Sequence, residues 1–297
     1  MRPMSVTTAD EIERILADPG YEVPAAPPGV AGLAWLRAAV SRFVDGEPHA
    51  RRRALVVAEL AALGPEALRR DARSRTEAAL DRAAGRIDVM AAVARRVPLA
   101  ALASGLGVGA NKLDAAVTDA VIVGPAYLSG DGGAEVDTAV ERLRALFARV
   151  RADGPVTASA EPAEASAAAI AVLAQACEAT AALIGNALVL AAGARNPRRS
   201  VEALVDETLR RASPIRVMTR VSPQGERVLL DLDAAVADRP LAFGGGRRQC
   251  PGDAHALALA AGVLEPLLVR CEIVSAPPPL VAHPVLRLPQ RVEAIVG

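Results

Sequence analysis

The stretch Phe243-Gly-Gly-Gly-Arg-Arg-Gln-Cys250-Pro-Gly252 sets one cysteine among four glycines. Glycine tolerates a positive φ and lets a bulky group approach the backbone closely. A predicted helix begins near Asp253, and the positive end of its dipole favours thiolate over thiol at Cys250. A thiolate held in such a loop is a suitable axial ligand for an iron atom.

Two other interpretations of this loop stay open on spacing alone. It is also consistent with a glycine-rich turn around a buried structural cysteine. Its spacing is close to the GxGxxG pattern of phosphate-binding loops, although no strand-loop-helix unit of the dinucleotide-binding type surrounds it. The choice among these interpretations depends on the rest of the chain.

The composition predicts a helical, globular protein. The chain has 297 residues, of which 52% are hydrophobic and only 2% aromatic, so alanine and leucine must build the core. Lys+Arg and Asp+Glu are both 34, and this balance argues against a nucleic-acid partner. Three cysteines are too few for a disulfide framework, and the N-terminal sequence has no apolar signal core. We therefore expect a cytoplasmic protein with a single domain over residues 1–297.

The hydrophobic pattern predicts a mostly α fold with a small β element late in the chain. The segment from Ala165 to Ala194 carries a single charge, Glu178, and is long enough to span a bilayer. An ionisable group near its middle is costly in lipid, so we expect a buried core helix and no membrane span. Helices are predicted over 8–17, 35–44, 48–64, 65–93, 112–128, 134–150, 165–194, 200–212 and 253–270, and strands over 215–221 and 227–232.

The glycine-rich loop matches the haem-binding signature of the cytochrome P450 family. The six specified positions of that signature are filled by Phe243, Gly244, Gly246, Arg248, Cys250 and Gly252. About forty residues earlier, Glu207 and Arg210 resemble the ExxR pair of the family's K helix. The i, i+3 spacing puts these two side chains on one helix face.

Further segments resemble the family in the same order along the chain. The sequence Glu47-Pro-His49-Ala-Arg-Arg-Arg53 is similar to the start of the C helix, and the segment around Arg220 to the strand after the K helix. The resemblance implies that His49, Arg53, Arg220 and Arg248 bind the haem propionates. Relative to the family, the chain is shortened at its N-terminus and in the meander between Arg220 and Phe243.

The long apolar helix resembles the family's I helix, with one departure. At the family's Ala-Gly-any-Glu/Asp-Thr sequence the chain has Gln175-Ala176-Cys177-Glu178-Ala179. The acid is kept as Glu178, and Ala176 is still small enough to border the haem. The alcohol that helps to deliver protons to iron-bound oxygen is replaced by Ala179. Thr180 follows, but it is turned about 100° further round the helix.

The resemblance implies a reduced P450-like fold and a haem b cofactor whose iron is bound by Cys250. It implies a monooxygenase that oxidises a small organic substrate, in secondary metabolism, with electrons from a ferredoxin-type donor. Glu178, Ala179 and Thr180 are the candidate catalytic positions. Two alternatives stay open: other haem chemistry, such as peroxide-driven oxidation, coupling or dehydration, and a non-catalytic interaction protein. Absent sheet strands would leave an edge for a protein partner or a homodimer.

Overall fold

The computed structural model describes residues 4–83, 85–152, 162–193, 200–235, 241–274 and 278–297. It confirms a mostly helical fold, but the strands form two small sheets and are not confined to the late part of the chain. The helices are α1 (Ala9–Ala17), α2 (Gly32–Ala39), α3 (Gly46–Ala61), α4 (Pro65–Arg82), α5 (Arg96–Gly105), α6 (Ala110–Ser129), α7 (Ala134–Ala152), α8 (Pro162–Ala192), α9 (Val201–Arg211), α10 (Leu232–Ala235) and α11 (Asp253–Arg270). The strands are β1 (Met4–Val6), β2 (Arg86–Asp88), β3 (Val217–Val221), β4 (Arg227–Asp231), β5 (Cys271–Ile273) and β6 (Glu293–Val296).

The long apolar helix α8 runs through the core. It packs against α3, α5, α6, α7, α9 and α11. Among the described residues it is the one helix long and apolar enough to cross a membrane, but 83% of its most apolar window is buried against the rest of the protein. A helix covered on nearly all sides by protein needs no amphipathic pattern. This burial supports the interpretation of α8 as a core helix.

Helices α4 and α11 cross at very short range. A Cβ atom added to Gly262 would lie 2.3 Å from the carbonyl oxygen of Arg69, so only glycine fits at this crossing. At the same place Arg69 Nε donates to Glu265 Oε1 at 2.7 Å, and an Arg69 terminal amino group donates to Glu202 at 2.6 Å. The crossing fixes the helix that follows Cys250 on the body of the protein.

The first sheet has the strand order β1-β4-β3. Strands β3 and β4 form an antiparallel hairpin whose turn contains Gly225 at φ +81°, whereas β1 lies parallel to β4. Helix α1 covers this sheet and forms a second, smaller core with it. The predicted hairpin is confirmed, and β1 forms the outer edge of the described sheet.

The prediction of one helix over 65–93 is wrong. Helix α4 ends at Arg82, Gly85 follows at φ +78°, and β2 pairs with β6 in an antiparallel arrangement. A π-helical turn, Met90–Ala94, then leads into α5, which the sequence pattern did not predict. The break depends on a strand about 200 residues away along the chain, so the local periodicity carries no sign of it.

Helix α2 is attached to α7 by side chains of α7. Asp137 accepts a hydrogen bond from the Leu33 N–H at 2.9 Å, and Glu141 accepts one from the Gly32 N–H at 2.9 Å. These carboxylates satisfy backbone donors that the first turn of a helix leaves unpaired. The guanidinium of Arg144 lies 4.3 Å from the centre of the Trp35 ring. These contacts hold Trp35 in the core.

Candidate haem-thiolate site

The loop before Cys250 is held in a defined shape by its glycines. Gly244 and Gly246 have φ values of +69° and +61°, and a Cβ atom on Gly246 would lie 2.3 Å from the carbonyl oxygen of Leu16. The Cys250 N–H donates to the Phe243 carbonyl oxygen at 2.9 Å, which closes the loop. The loop therefore rests directly on α1 and presents the sulfur at the start of α11.

The ionisation state of Cys250 differs from the expectation drawn from the helix dipole. The half-buried thiol receives a hydrogen bond from the Gly252 N–H, which favours the thiolate, but burial outweighs this contact and raises the thiol pKa above its usual value. In the chain without metal the thiol form is therefore favoured. A metal ion that binds the sulfur would displace this proton.

The structure brings together the four residues expected to bind propionates. His49, Arg53, Arg220 and Arg248 come from α3, β3 and the cysteine loop, and they interact electrostatically with one another and with two further arginines. We call these six residues the arginine cluster: Arg42, His49, Arg53, Arg220, Arg247 and Arg248. Arg42 and Arg53 also act electrostatically on Cys250, so the cluster and the sulfur share one site.

Burial and mutual repulsion destabilise the charged forms of the buried residues in the arginine cluster. Arg220 is only 7% exposed, and its guanidinium donates to the Thr219 carbonyl oxygen at 2.9 Å. Burial, together with repulsion from Arg248 and Arg42, lowers the pKa of Arg220 to about 10. His49 is 6% exposed, and burial with repulsion from Arg248 and Arg53 lowers its pKa to about 4. Both groups are therefore destabilised in their charged forms.

One carboxylate, Asp45, pairs with the arginine cluster within the described part of the chain. It accepts hydrogen bonds from Arg248 at 2.6 Å and Arg247 at 3.1 Å, and from the Val23 N–H at 2.7 Å. Burial alone would raise the Asp45 pKa, but these donors hold it below its usual value. The buried Arg248 Nε has no hydrogen-bond partner. The cluster therefore has more positive charge than its own carboxylate neutralises.

Three residues in the middle of α8 are half-exposed, although the other residues between Ser166 and Leu188 are buried. Gln175, Ala176 and Ala179 are half-exposed, whereas Cys177 and Glu178 between them are buried. The spacing i, i+1, i+4 places these three residues on one face of the helix, as a half-exposed stripe. The resemblance implies that Ala176, Glu178 and Ala179 border the distal pocket. Ala176 and Ala179, which have small side chains, lie on this stripe, whereas Glu178 is buried beside it.

The other two candidate catalytic residues lie off this stripe. Glu178 is almost fully buried, and its carboxylate accepts a hydrogen bond from Arg95 Nε at 2.8 Å. Thr180 is 3% exposed, one position beyond the stripe. Burial would lower the pKa of Arg95, but the contact with Glu178 reverses the effect and raises it. The Glu178 carboxylate is therefore part of an ion pair in the protein interior.

The ExxR segment makes different pairs from the i, i+3 pair considered above. Arg210 donates to Asp206 at 3.0 and 3.1 Å, and Arg211 donates to Glu207 at 2.6 Å. The resemblance also suggests that Arg239 pairs with Glu207, as in the Glu-Arg-Arg cluster of the family, but Arg239 lies outside the described residues.

The residues present fit a haem group. Two propionates would supply the negative charge that the arginine cluster lacks, Cys250 offers one sulfur ligand, and the stripe on α8 offers small side chains. Sequence reasoning missed Arg42, Asp45 and Arg247 as parts of the site, and it missed Arg95 as the partner of Glu178. The helix N-cap position of Asp45, directly before the Glu47 to Arg53 segment, is the one signal that could have indicated it.

Comparisons with known proteins give the fold and leave the activity open. No protein-family model matches the sequence, and no curated protein is similar to it in sequence. Among solved structures, P450BioI in complex with an acyl carrier protein that carries hexadec-9Z-enoic acid has a TM-score of 0.82 at 19% identity, over 99% of this chain and 92% of that one.

Two further solved structures are similar to the same extent. Epothilone B-bound cytochrome P450epoK has a TM-score of 0.82 at 20% identity, with 99% and 91% of the two chains covered. CYP109E1 from Bacillus megaterium, in complex with testosterone, has a TM-score of 0.78 at 18% identity, with 99% and 93% covered. The chain therefore has a cytochrome P450-like fold over nearly its whole length.

Proposed function

We propose that this protein is a haem-thiolate oxidoreductase that oxidises a small organic substrate, with haem b as its cofactor. The observation that supports this most directly is the arginine cluster. A protein rarely buries cations without counter-ions, because an unpaired buried charge is costly. Here such cations lie beside a glycine-supported cysteine whose loop resembles the haem-binding signature of the cytochrome P450 family.

Each residue has a role in this proposal. When bound, haem supplies the redox-active iron that activates oxygen or peroxide. Cys250 Sγ is the protein ligand of that iron, and Gly244 and Gly246 shape the loop that carries it. His49, Arg53, Arg220 and Arg248 bind the two propionates by charge-assisted hydrogen bonds. Phe243 and Gly252 border the sulfur along the chain, and the small, half-exposed Ala176 of α8 would leave space for the group.

The lack of a hydroxyl group on the half-exposed stripe of α8 favours a second candidate function. On the half-exposed stripe of the described helix, Ala179 carries no hydroxyl group, and Gln175 donates its amide to the Ala171 carbonyl oxygen at 3.2 Å. The nearby carboxylate of Glu178 is bound by Arg95. Peroxide-driven oxidation needs fewer protons from the protein than oxygen activation does, so this chemistry is the alternative that the site supports.

The first experiment tests haem binding by the full chain. We expect the purified protein to bind added haem and, after reduction and exposure to carbon monoxide, to show the strongly red-shifted Soret band of a thiolate ligand. Cys250→Ala should lose this band. Cys271→Ala is the matched control, because Cys271 is also half-buried but lies at the opposite end of α11. Failure to take up haem, or an unchanged band in Cys250→Ala, would overturn the proposal.

The second experiment separates the two chemistries. The haem-loaded protein is supplied with a P450 substrate panel and either a ferredoxin, its reductase and oxygen, or hydrogen peroxide alone. Product formed mainly with the ferredoxin system supports the monooxygenase. Product formed mainly with peroxide supports the alternative. Absence of product in both arms, with haem bound, would favour the non-catalytic interpretation.

The proposal also includes a protein partner. An open groove of about 700 Å³ beside the cluster is lined by residues that include His49, Arg53, Val57 and Arg247, and it offers basic groups to an acidic electron donor. The outer edge of β1 is the place where a partner chain or a second copy would add a strand. The solved P450BioI complex with an acyl carrier protein shows that one P450-like structure binds a protein partner. A soluble, cytoplasmic location belongs to the same proposal.

A further inference from the structure

We propose that Asp45 is an internal competitor for Arg248, so that a haem propionate binds there only by displacing this carboxylate or against its repulsion. The inference rests on the proposed function, because the competing group is a haem propionate. It adds a residue that the sequence signature does not contain. It also predicts the direction in which a substitution changes haem affinity.

The two most buried arginines of the cluster differ in their partners. Arg220 has a backbone carbonyl oxygen as its acceptor and no carboxylate among the described residues. Arg248 donates to the Asp45 carboxylate at 2.6 Å and to the Ser41 carbonyl oxygen at 3.3 Å, and it also contacts the Val44 carbonyl oxygen. Ser41, Val44 and Asp45 all belong to the segment before α3. Arg220 therefore has no hydrogen-bonded carboxylate that an external carboxylate would have to displace, whereas Arg248 has one.

Asp45 is well held in this position. Besides Arg248 it binds Arg247, which in turn donates to the carbonyl oxygens of Asp18 at 3.1 Å and Tyr21 at 3.4 Å. The Val23 N–H also donates to Asp45, at 2.7 Å. The carboxylate thus connects the loop after α1 to the cysteine loop. These contacts keep Asp45 in the cluster even when no haem is bound.

A second carboxylate beside Arg248 would face the charge of Asp45 at short range. Like charges in a partly buried site repel each other strongly, because the effective dielectric constant there is well below that of water. A propionate must therefore either displace Asp45 or bind against its repulsion. Removing the charge of Asp45 while keeping its hydrogen-bond acceptor for Val23 removes this competition.

The experiment compares haem affinity in the wild type, Asp45→Asn and Asp18→Asn. Asp18 is the matched control, since its carboxylate accepts from the Gly20 N–H on the exposed surface of the same loop. We expect Asp45→Asn to bind haem about ten-fold more tightly by Soret titration, and Asp18→Asn to match the wild type. Equal or weaker affinity in Asp45→Asn would overturn the inference, because Asp45 would then act by positioning Arg248.

The dimethyl ester of haem provides the second arm. It carries no propionate charge, so its affinity should be the same in the wild type and in Asp45→Asn. A gain for the ester equal to the gain for haem would overturn the inference, since the effect would then not involve the propionates. If Asp45→Asn fails to fold, Asp45→Ser is used in its place, because serine also lacks the charge and is a favoured residue at the N-cap position that Asp45 holds in α3.

A haem-free measurement separates this inference from the proposed function. Glutarate, a small dicarboxylate, is added to the apo protein and the melting temperature is followed. We expect glutarate to stabilise Asp45→Asn at lower concentrations than it stabilises the wild type. If neither form binds haem, the proposed function fails, and this arm still decides the inference about Asp45. Equal stabilisation of both forms would overturn it.

Discussion

Two parts of this molecule bury arginine, and they do so in opposite ways. Beside α8, Arg95 has a carboxylate partner in Glu178, and the contact raises its pKa. In the arginine cluster, Arg220 lies among other cations, and burial with their repulsion lowers its pKa. The first arginine stabilises the folded chain, and the second destabilises it until an external anion binds. The contrast distinguishes an ion pair of the scaffold from a cluster with excess positive charge, which is what the proposed haem site requires.

The largest expected effect comes from breaking the scaffold pair. Arg95→Met leaves the buried Glu178 carboxylate without its partner and should lower the free energy of unfolding by about 3–5 kcal/mol. Urea unfolding of the apo protein measures this loss. The double variant Arg95→Met with Glu178→Met should recover most of it. A loss below about 1 kcal/mol would show that the pair contributes no more than an exposed ion pair.

Acidification tests the environment of His49 in the arginine cluster. The pKa of His49 is lowered from 6.5 to about 4 by burial and by Arg248 and Arg53, so the unfolded chain binds its proton more readily than the folded one. The contribution of His49 to stability is therefore complete above pH 6.5 and is lost as the pH falls towards 4, by on the order of 3 kcal/mol.

Melting temperatures of the apo protein between pH 7.5 and 4 check this, with His49→Gln as the comparison. The variant should show a shallower decline over this range. Bound haem should also reduce the decline, because its propionates would favour the charged imidazole. Identical pH profiles for the wild type and His49→Gln would contradict the assigned environment.

Removing an uncompensated cation should have the opposite sign from breaking the scaffold pair. Arg220→Met is expected to raise the stability of the apo protein by roughly 1–2 kcal/mol, because it removes a buried charge repelled by Arg248 and Arg42. It should at the same time weaken haem binding. Urea unfolding and Soret titration measure the two effects. A variant that loses stability would show that Arg220 belongs to the scaffold.

The smallest expected effect concerns the open stripe of α8. Ala179→Thr restores a hydroxyl group at a half-exposed position and should raise the fraction of consumed oxygen that appears in product. Stability should change by less than about 1 kcal/mol, because the site is not fully packed. Product yield per oxygen consumed is the measurement. An unchanged yield would count against the placement of Ala179 next to the reacting group.

The sequence predicts those parts of the site whose chemistry is local. The loop from Phe243 to Gly252 and the helix after it could be identified because ten adjacent residues carry the whole pattern. Most helices were also predictable from their periodicity. The strand Arg86–Asp88 was not, since it exists through its pairing with Glu293–Val296.

The partners of buried charges were equally inaccessible from the sequence. Asp45 meets Arg248 across 203 positions of the chain, and Arg95 meets Glu178 across 83. No spacing rule connects residues so far apart. The resemblance named the cations expected to bind propionates, but only the folded chain shows that one of them is already paired and another is not.

The chain contains a single tryptophan, Trp35, and its position in α2 has a practical consequence. All indole fluorescence of the unmodified protein reports on one ring in α2, near the segment that leads to the arginine cluster. Porphyrins absorb at the wavelengths where indole emits, so cofactor uptake should quench this emission by energy transfer. Loading of the protein can therefore be followed in real time without a label.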